Sequence, residues 1–85
     1  MEIDHDSDIP VYLQLAAILR ERIRDGTYPP RRVIPSRKSL VQEYGVAPGT
    51  CDKAVAVLKR EGLARTVTGR GIFVTDPGER PGRET

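Results

Sequence analysis

The chain has 85 residues and a mass of 9.4 kDa, which is enough for one small domain. Hydrophobic residues make up 38% and charged residues 31% of the sequence, a balance that excludes both a membrane protein and full disorder. With one histidine and one cysteine, Cys51, we expect no internal disulfide, no clustered metal site and no catalytic constellation. The composition therefore predicts a cytoplasmic, non-enzymatic domain without a cofactor.

The formal net charge of +2 conceals a marked asymmetry along the chain. Residues 1–9 contain four acids and no base, whereas residues 10–74 contain twelve Lys or Arg and five Asp or Glu, a net charge of +7. This positive charge of residues 10–74 favours a polyanionic partner such as nucleic acid. A solvated basic face that promotes solubility explains the charge equally well, so the order of the elements has to decide.

The first predicted element is an amphipathic helix that begins at Pro10 and ends before Gly26. Asp8, just upstream, is a candidate for its N-cap. Residues 1–9, which are acidic and lack periodicity, are predicted to form a flexible N-terminal tail. Apolar residues recur on one face of the helix and predict its buried side: Tyr12, Leu15, Ala16, Leu19 and Ile23.

Two further helices are predicted after a proline-containing loop. Ser36 is expected to cap a short second helix that Gly45 closes. A third helix begins at Pro48, after a three-residue turn, and ends near Gly62. Two helices joined by such a tight, glycine-containing turn are typical of a helix-turn-helix. The predicted buried side of the third helix is Cys51, Ala54, Val55 and Leu58.

A β-hairpin is predicted to follow the third helix, because the glycine-rich stretch 68–71 separates two runs, 63–67 and 72–75, that are rich in β-branched residues. The resulting order describes a winged helix-turn-helix, a mainly α fold of the α+β class with three helices and a two-stranded wing. We assign it to residues 10–75. Residues 76–85, rich in proline, glycine and charge, are predicted to be a flexible C-terminal tail or linker remnant.

In this fold the third helix enters the major groove of DNA. At 100° per residue, the face opposite the predicted buried side carries Gly49, Lys53, Ala56 and Arg60, and Thr50 flanks it. Lys53 and Thr50 can donate to a base edge or a phosphate, whereas Gly49 can offer only its amide. The alternative is that Lys53 and Arg60 are ordinary exposed charges on a core helix.

Two other places are suited to DNA. The N-terminus of the second helix combines free amides with Arg37 and Lys38, which suits a backbone phosphate, although Ser36 can serve there as a simple cap. Arg70, between two glycines of the turn that Thr68 begins, can reach into a minor groove. A solvated arginine in a glycine-rich turn is the plainer interpretation of that stretch.

Seven motifs follow one another along the chain: PVYLQL at 10–15, GTYPP at 26–30, IPSRKSL at 34–40, EYGV at 43–46, AVAVL at 54–58, EGL at 61–63 and GRGIFV at 69–74. On these motifs the chain resembles the N-terminal DNA-binding domain of GntR-family bacterial regulators, most closely the actinobacterial type. The resemblance implies a cytoplasmic transcription regulator, usually a repressor, that binds a short palindromic operator in double-stranded DNA as a homodimer. It implies neither a membrane nor a small-molecule effector site within these residues.

By motif position, the resemblance places the family's basic residue of the second helix on Lys38 and its wing contact on Arg70 and Gly71. Its recognition-helix contacts fall on Pro48, Gly49, Thr50 and Asp52. Together with the residues singled out above, the predicted DNA-binding set is Ser36, Arg37, Lys38, Pro48, Gly49, Thr50, Asp52, Lys53, Thr68, Arg70 and Gly71.

Three positions depart from the family pattern. Ala47 replaces a Ser or Thr that caps the third helix, Pro48 replaces an arginine, and Asp52 stands where arginine is common. These changes leave a second hypothesis open, namely a repurposed winged helix that binds a protein as an accessory or anti-regulator. Family members also carry a C-terminal effector-binding and dimerisation domain, so these residues are either part of a longer regulator or a stand-alone one.

Overall fold

Three helices followed by a β-hairpin make up the domain, which confirms the predicted winged helix-turn-helix. The computed structural model describes residues 3–76, so all of the predicted C-terminal tail except Asp76 lies outside the described residues. The elements are α1 (Val11–Arg24), α2 (Arg37–Tyr44), α3 (Pro48–Arg60), β1 (Ala64–Val67) and β2 (Gly71–Val74).

Pro10 is the N-cap of α1, and no side chain caps the first amides of the helix. The prediction that Asp8 caps this helix is therefore wrong. A capping side chain acts from the N-cap position itself, and Asp8 lies two residues before it. Of the predicted buried side, Leu15, Ala16 and Leu19 are buried, while Tyr12 and Ile23 are half-buried near the two ends; Ile18 is an additional buried residue.

Residues 3–9 run along the start of α1. The Gln14 side chain accepts a hydrogen bond from the Asp4 amide at 2.7 Å and donates to the carbonyls of Asp4 and Ile9 at 2.9 and 2.8 Å. Ile3 packs against the core. These contacts give the acidic segment a defined course, and the flexibility expected of it stays a prediction.

The two helices of the helix-turn-helix begin in different ways. Ser36 caps α2 by accepting a hydrogen bond from the Ser39 amide at 3.1 Å, and Gly45, at φ +65°, closes the helix in the left-handed conformation. Ala47 is the N-cap of α3 and makes no side-chain cap, so only Pro48, in the first turn, favours the helix start.

One buried position of α3 differs from the prediction. Cys51, Ala54 and Leu58 are buried as expected, but the fourth buried residue is Val57 and Val55 is only half-buried. The helix packs against α1, α2 and β1 at once, which turns its covered side toward Val57. Val55 instead lines a groove between α3 and the hairpin.

The wing is a two-stranded antiparallel sheet in which Ala64 pairs with Val74 and Thr66 with Ile72. The loop before α2, whose strand character the sequence did not reveal, adds a further edge to it through a bridge between Val33 and Phe73. Three backbone hydrogen bonds of 2.9 Å join residues 31–34 to β2. Residues 31–34 pair with the side of β2 that β1 leaves free, so this loop connects the wing to the helices.

The centre of the core is formed by leucines of all three helices, of which Leu15, Leu19 and Leu58 are fully buried. Burial of one such side chain contributes roughly 1.5–3 kcal/mol. At the rim of this core, the Arg20 guanidinium of α1 donates two hydrogen bonds, of 2.9 and 2.8 Å, to the Glu61 carboxylate after α3. Within residues 3–76, no helix has the length and hydrophobicity needed to cross a membrane.

Candidate nucleic-acid interface

The start of α2, the exposed side of α3 and the wing meet around one groove of about 420 Å³. We call it the wing groove. Its floor is apolar and includes Leu40, Val55 and Ile72. The predicted site residues that line it are Ser36, Arg37, Asp52, Arg70 and Gly71.

The other six predicted site residues lie on the same three segments but do not line the wing groove. Lys38 is in the first turn of α2, Thr68 is in the turn of the wing, and the remaining four are on the first two turns of α3. Thr50 is half-buried, and the other ten members of the predicted set are exposed: Ser36, Arg37, Lys38, Pro48, Gly49, Asp52, Lys53, Thr68, Arg70 and Gly71.

The start of α2 combines a capped backbone with two exposed cations. The Ser36 hydroxyl is engaged by the Ser39 amide and lies 3.2 Å from the Ser39 hydroxyl. Arg37 and Lys38 project from the first turn, where the helix dipole is positive. An anion at this place would meet a positive helix end and two exposed cationic side chains.

The outward face of α3 is correctly predicted, since Gly49, Lys53, Ala56 and Arg60 are all exposed. Open space surrounds Gly49, so a ligand can approach the backbone there closely. The Lys53 ammonium lies 5.7 Å from the centre of the Tyr12 ring of α1. This cation–π contact joins α3 to α1, while Lys53 stays exposed.

Asp52 is paired with Arg37 on this surface. The Arg37 Nε donates to Asp52 Oδ1 at 3.2 Å, and the two side chains are 61% and 59% exposed. The pair links α2 to α3 across the mouth of the wing groove and neutralises one positive charge there. Asp52 thus reduces the positive charge available to a polyanion at this point.

Arg70 is the last residue of the turn of the wing, and its amide donates to the Val67 carbonyl at 2.9 Å. Gly69 and Gly71 flank it at φ +78° and +121°, conformations that L-residues with a side chain rarely adopt. The Arg70 guanidinium lies 5.9 Å from the centre of the Phe73 ring, over the face of the wing that points away from the helices.

Two basic residues near Arg70 were missed by the sequence interpretation. Arg31 and Arg65 line a second cleft of about 220 Å³ together with Arg70, Val67 and Phe73. We call it the arginine cleft. The alternation of β1 could have placed Arg65 beside Phe73, its partner in the register. No local signal indicates Arg31, because its loop reaches the wing only through tertiary contacts.

Cys51 is buried on the side of α3 that the sequence predicts. The residue is 1% exposed, and burial raises the pKa of its thiol above the ordinary value. It contributes to the apolar floor of the wing groove as a small hydrophobe.

Comparison with known proteins shows to which family the chain belongs. Residues 11–74 match the family described as bacterial regulatory proteins, gntR family. The chain belongs to the GntR family. The family match covers α1, the helix-turn-helix and the wing, and it includes every residue that lines the wing groove.

Two proteins named as transcriptional repressors are similar to this GntR-family domain. NagR of Bacillus subtilis (strain 168) is 34% identical over 77 residues, which are 91% of this chain and 32% of NagR. YtrA of the same organism is 32% identical over 76 residues, 89% of this chain and 58% of YtrA. The chain thus spans about a third of the length of NagR and somewhat more than half of YtrA.

Solved GntR-family structures share the fold. YtrA from Sulfolobus acidocaldarius superimposes with a TM-score of 0.79 at 33% identity, over 88% of this chain and 79% of that one. The DNA-binding domain of AraR, in complex with operator ORE1, superimposes with a TM-score of 0.77 at 31% identity, over 88% of this chain and 94% of that one.

The three residues that depart from the GntR-family pattern lie at the start of α3: Ala47, Pro48 and Asp52. Ala47 leaves α3 without a side-chain cap, yet the helix begins at Pro48 with regular geometry. Pro48 is exposed and brings no charge, and the charge of Asp52 is turned toward Arg37. The exposed cations of this surface include Lys38 on α2, Lys53 and Arg60 on α3, and Arg70 on the wing.

Proposed function

We propose that this chain is the operator-binding domain of a transcription regulator that binds double-stranded DNA and acts as a repressor. The observation that carries the proposal is the convergence of α2, α3 and the wing around one groove, on a surface rich in exposed cations. The superposition with AraR bound to its operator supports the same arrangement. In this proposal α3 lies in the major groove and the wing reaches the adjacent minor groove.

Each member of the predicted set has a role in the proposal. Lys53 and Thr50 donate to base edges or phosphates, and the exposed backbone at Gly49 allows close approach. The start of α2, with Ser36, Arg37 and Lys38, holds a backbone phosphate. Asp52 accepts a hydrogen bond from a cytosine amino group. Pro48, Thr68 and Gly71 shape the segments that carry Thr50 and Arg70.

We further propose that the regulator binds a palindromic operator as a homodimer in the cytoplasm. A homodimer has the same two-fold symmetry as the two half-sites of a palindromic operator. Two copies of the domain therefore make twice as many contacts with DNA as one copy. The repressors NagR and YtrA are longer than this chain and support a regulator in which further residues contribute to assembly.

A protein-binding role was the competing hypothesis. The pairing of Asp52 with Arg37 is the feature that favours it, because the pair reduces the positive charge of α3. The relatives and operator complexes favour DNA, so the protein-binding role is the outcome that a negative DNA experiment would support.

The test is fluorescence anisotropy with a pool of random-sequence duplexes over a salt series. Wild type should bind with a steep dependence on salt, and Arg70→Ala and Lys53→Ala should each weaken binding and reduce the salt slope by about one unit. Arg24→Ala, which removes an exposed charge from α1, serves as the matched control and should leave the slope unchanged. Sequencing the bound pool gives the operator.

Binding that is no tighter than that of a generic basic protein, and that is indifferent to both substitutions, would overturn the proposal. The search would then move to protein partners of the same surface.

A further inference from the structure

One cation of the wing groove has no role in the proposed function. Lys59 lines the groove and is exposed, and its side chain makes no hydrogen bond or ion pair with any residue of 3–76. It lies outside the predicted DNA-binding set, on the side of α3 that borders the groove, whereas Arg60 lies on the outward face. The groove therefore contains a charge for which DNA binding gives no reason.

The groove side of α3 is a stripe with a charged residue at each end. Asp52, Val55 and Lys59 follow one another at i, i+3 and i+7, and all three line the groove. The two charged residues are about 10 Å apart along the helix axis. Asp52 is paired with Arg37 at 3.2 Å, so one end of the groove is neutralised and the other carries the positive charge of Lys59.

The surface between these two ends is apolar. Leu40 forms part of its floor, and the half-buried Val55 of α3 and Ile72 of the wing also line it. Val33, at the edge of the wing, lines it as well and is 52% exposed although it is a large hydrophobic residue. A ligand that covers these side chains removes apolar surface from water, which is favourable. The groove volume of about 420 Å³ is in the range of small-molecule pockets.

We propose that the wing groove binds a small carboxylate with an apolar body. The carboxylate accepts hydrogen bonds from the Lys59 ammonium, and the apolar body lies over Val55 and against Val33 and Ile72. A single ammonium balances a single negative charge, which favours a carboxylate over a doubly charged phosphate. The family resemblance does not imply this site, and its existence does not require that the chain binds DNA.

Occupation of the groove has a consequence for DNA, and this part of the inference rests on the proposed function. Ser36, Arg37 and Gly71 line the groove and belong to the predicted DNA-binding set. A bound carboxylate places a negative charge between α3 and the wing, where it repels the DNA backbone. By linkage, DNA then weakens the binding of the carboxylate by the same factor.

The first test is methyl NMR of the DNA-free protein during a titration with naphthoate, a rigid bicyclic carboxylate. The signals of Val33, Val55 and Ile72 should shift together with one dissociation constant. Leu13, an exposed hydrophobic residue of α1, serves as the reference and should not shift. Naphthamide, which has the same shape and no charge, should bind more weakly than naphthoate by roughly twofold to fivefold.

Two variants and a matched control assign the binding to the groove. Lys59→Gln should weaken naphthoate binding by roughly twofold to fivefold and leave naphthamide binding unchanged. Arg60→Gln makes the same change of charge on the next residue, which does not line the groove, and should leave both compounds unaffected. Val55→Phe fills the groove and should weaken both compounds by roughly tenfold. Lys59 is exposed, so its result stands even where melting curves show that Val55→Phe does not fold.

The effect on DNA is measured separately, by fluorescence anisotropy with random-sequence duplex. Saturating naphthoate should weaken duplex binding by the wild type by roughly threefold to tenfold, relative to acetate at the same concentration. Acetate carries the same charge without the apolar body, so it controls for ionic strength.

The outcomes separate this inference from the proposed function. Shifts as large at Leu13 as in the groove, or naphthoate binding that Lys59→Gln leaves unchanged, overturn the carboxylate site. Methyl shifts confined to the groove, with unchanged duplex affinity, support the site and overturn its effect on DNA. Absence of duplex binding by the wild type overturns the proposed function, while the NMR titration still decides whether the site exists.

Discussion

Arg37, in the first turn of α2, and Asp52, in the second turn of α3, form an ion pair across the mouth of the wing groove. The distance from Arg37 Nε to Asp52 Oδ1 is 3.2 Å. Both side chains are more than half exposed, so the pair contributes at most a few tenths of a kcal/mol to folding. The ion pair matters more for DNA binding than for folding. While the pair is closed, Arg37 contributes less positive charge to a DNA backbone, and Asp52 adds a negative charge to the face of α3.

We therefore predict that Asp52→Asn strengthens binding to random-sequence duplex by roughly threefold to tenfold at ~0.1 M salt and steepens the salt slope by about one unit, because Arg37 becomes available to a phosphate. Fluorescence anisotropy over a salt series measures both quantities. Glu21→Gln is the matched control, since Glu21 forms a comparable exposed pair with Arg24, also at 3.2 Å, on α1. An equal gain in both variants would assign the effect to net charge alone.

The ion pair between Arg20 and Glu61 predicts a dependence of stability on pH. Its hydrogen bonds hold the pKa of the Glu61 carboxyl below the ordinary value of 4.5. A carboxyl with a lowered pKa stabilises the folded state above its unfolded pKa, and this contribution is lost as the pH falls through the folded pKa. The free energy of unfolding should therefore decrease below a pH of about 4.5, and less so in Glu61→Gln.

A double-mutant cycle isolates this pair. Arg20→Gln, Glu61→Gln and the double variant are unfolded with urea at a pH of about 7 and again at about 3. Because the pair is about a third exposed, we expect a coupling free energy of only ~0.5 kcal/mol at the higher pH and a smaller one at the lower. A coupling of the same size at both pH values would show that packing, rather than the ion pair, joins the two residues.

The start of α3 offers a way to stabilise the domain. Ala47 has φ −72° and ψ 152°, close to φ −66° and ψ 162° of Ser36, which caps α2 successfully. Ala47→Ser therefore places a hydroxyl in capping geometry and should raise the free energy of unfolding by ~1 kcal/mol and the melting temperature by roughly 4–8 °C.

Thermal denaturation followed by circular dichroism measures this gain. Ser36→Ala should lose a similar amount, because the Ser39 amide then loses its partner. Ala47→Val, which adds bulk without an acceptor, is the control for side-chain size. A gain in Ala47→Val equal to that of Ala47→Ser would attribute the effect to packing and not to the cap.

The features that the sequence predicts correctly are those with local causes. Ser36 and Gly45 mark the ends of α2 through their own backbone and side-chain chemistry, and the glycines around Arg70 specify the turn of the wing. The exposure of Lys53 follows from helical periodicity. These signals need no knowledge of what lies across the fold, so the order of elements and the outward face of α3 could be obtained from the chain alone.

The features that the sequence does not predict depend on distant partners. Val57 is buried in place of Val55 because β1 and α1 cover α3 from two sides. The contact of Lys53 with Tyr12 joins α3 to α1, and the arginine cleft requires a loop to reach β2. Sequence spacing carries no information about such contacts.

The backbone of Arg31 allows a direct test of the strain at the arginine cleft. Arg31→Ala and Arg31→Gly remove the same side-chain interactions and the same charge, but only glycine adopts φ +66° without steric conflict. The glycine variant should therefore be more stable than the alanine variant by ~1 kcal/mol in urea denaturation. Arg32, the next residue, has no positive φ, so there the order should reverse, with Arg32→Ala more stable than Arg32→Gly because glycine gives the unfolded chain more freedom. Equal stability of the two Arg31 variants would mean that the loop relaxes to negative φ without cost.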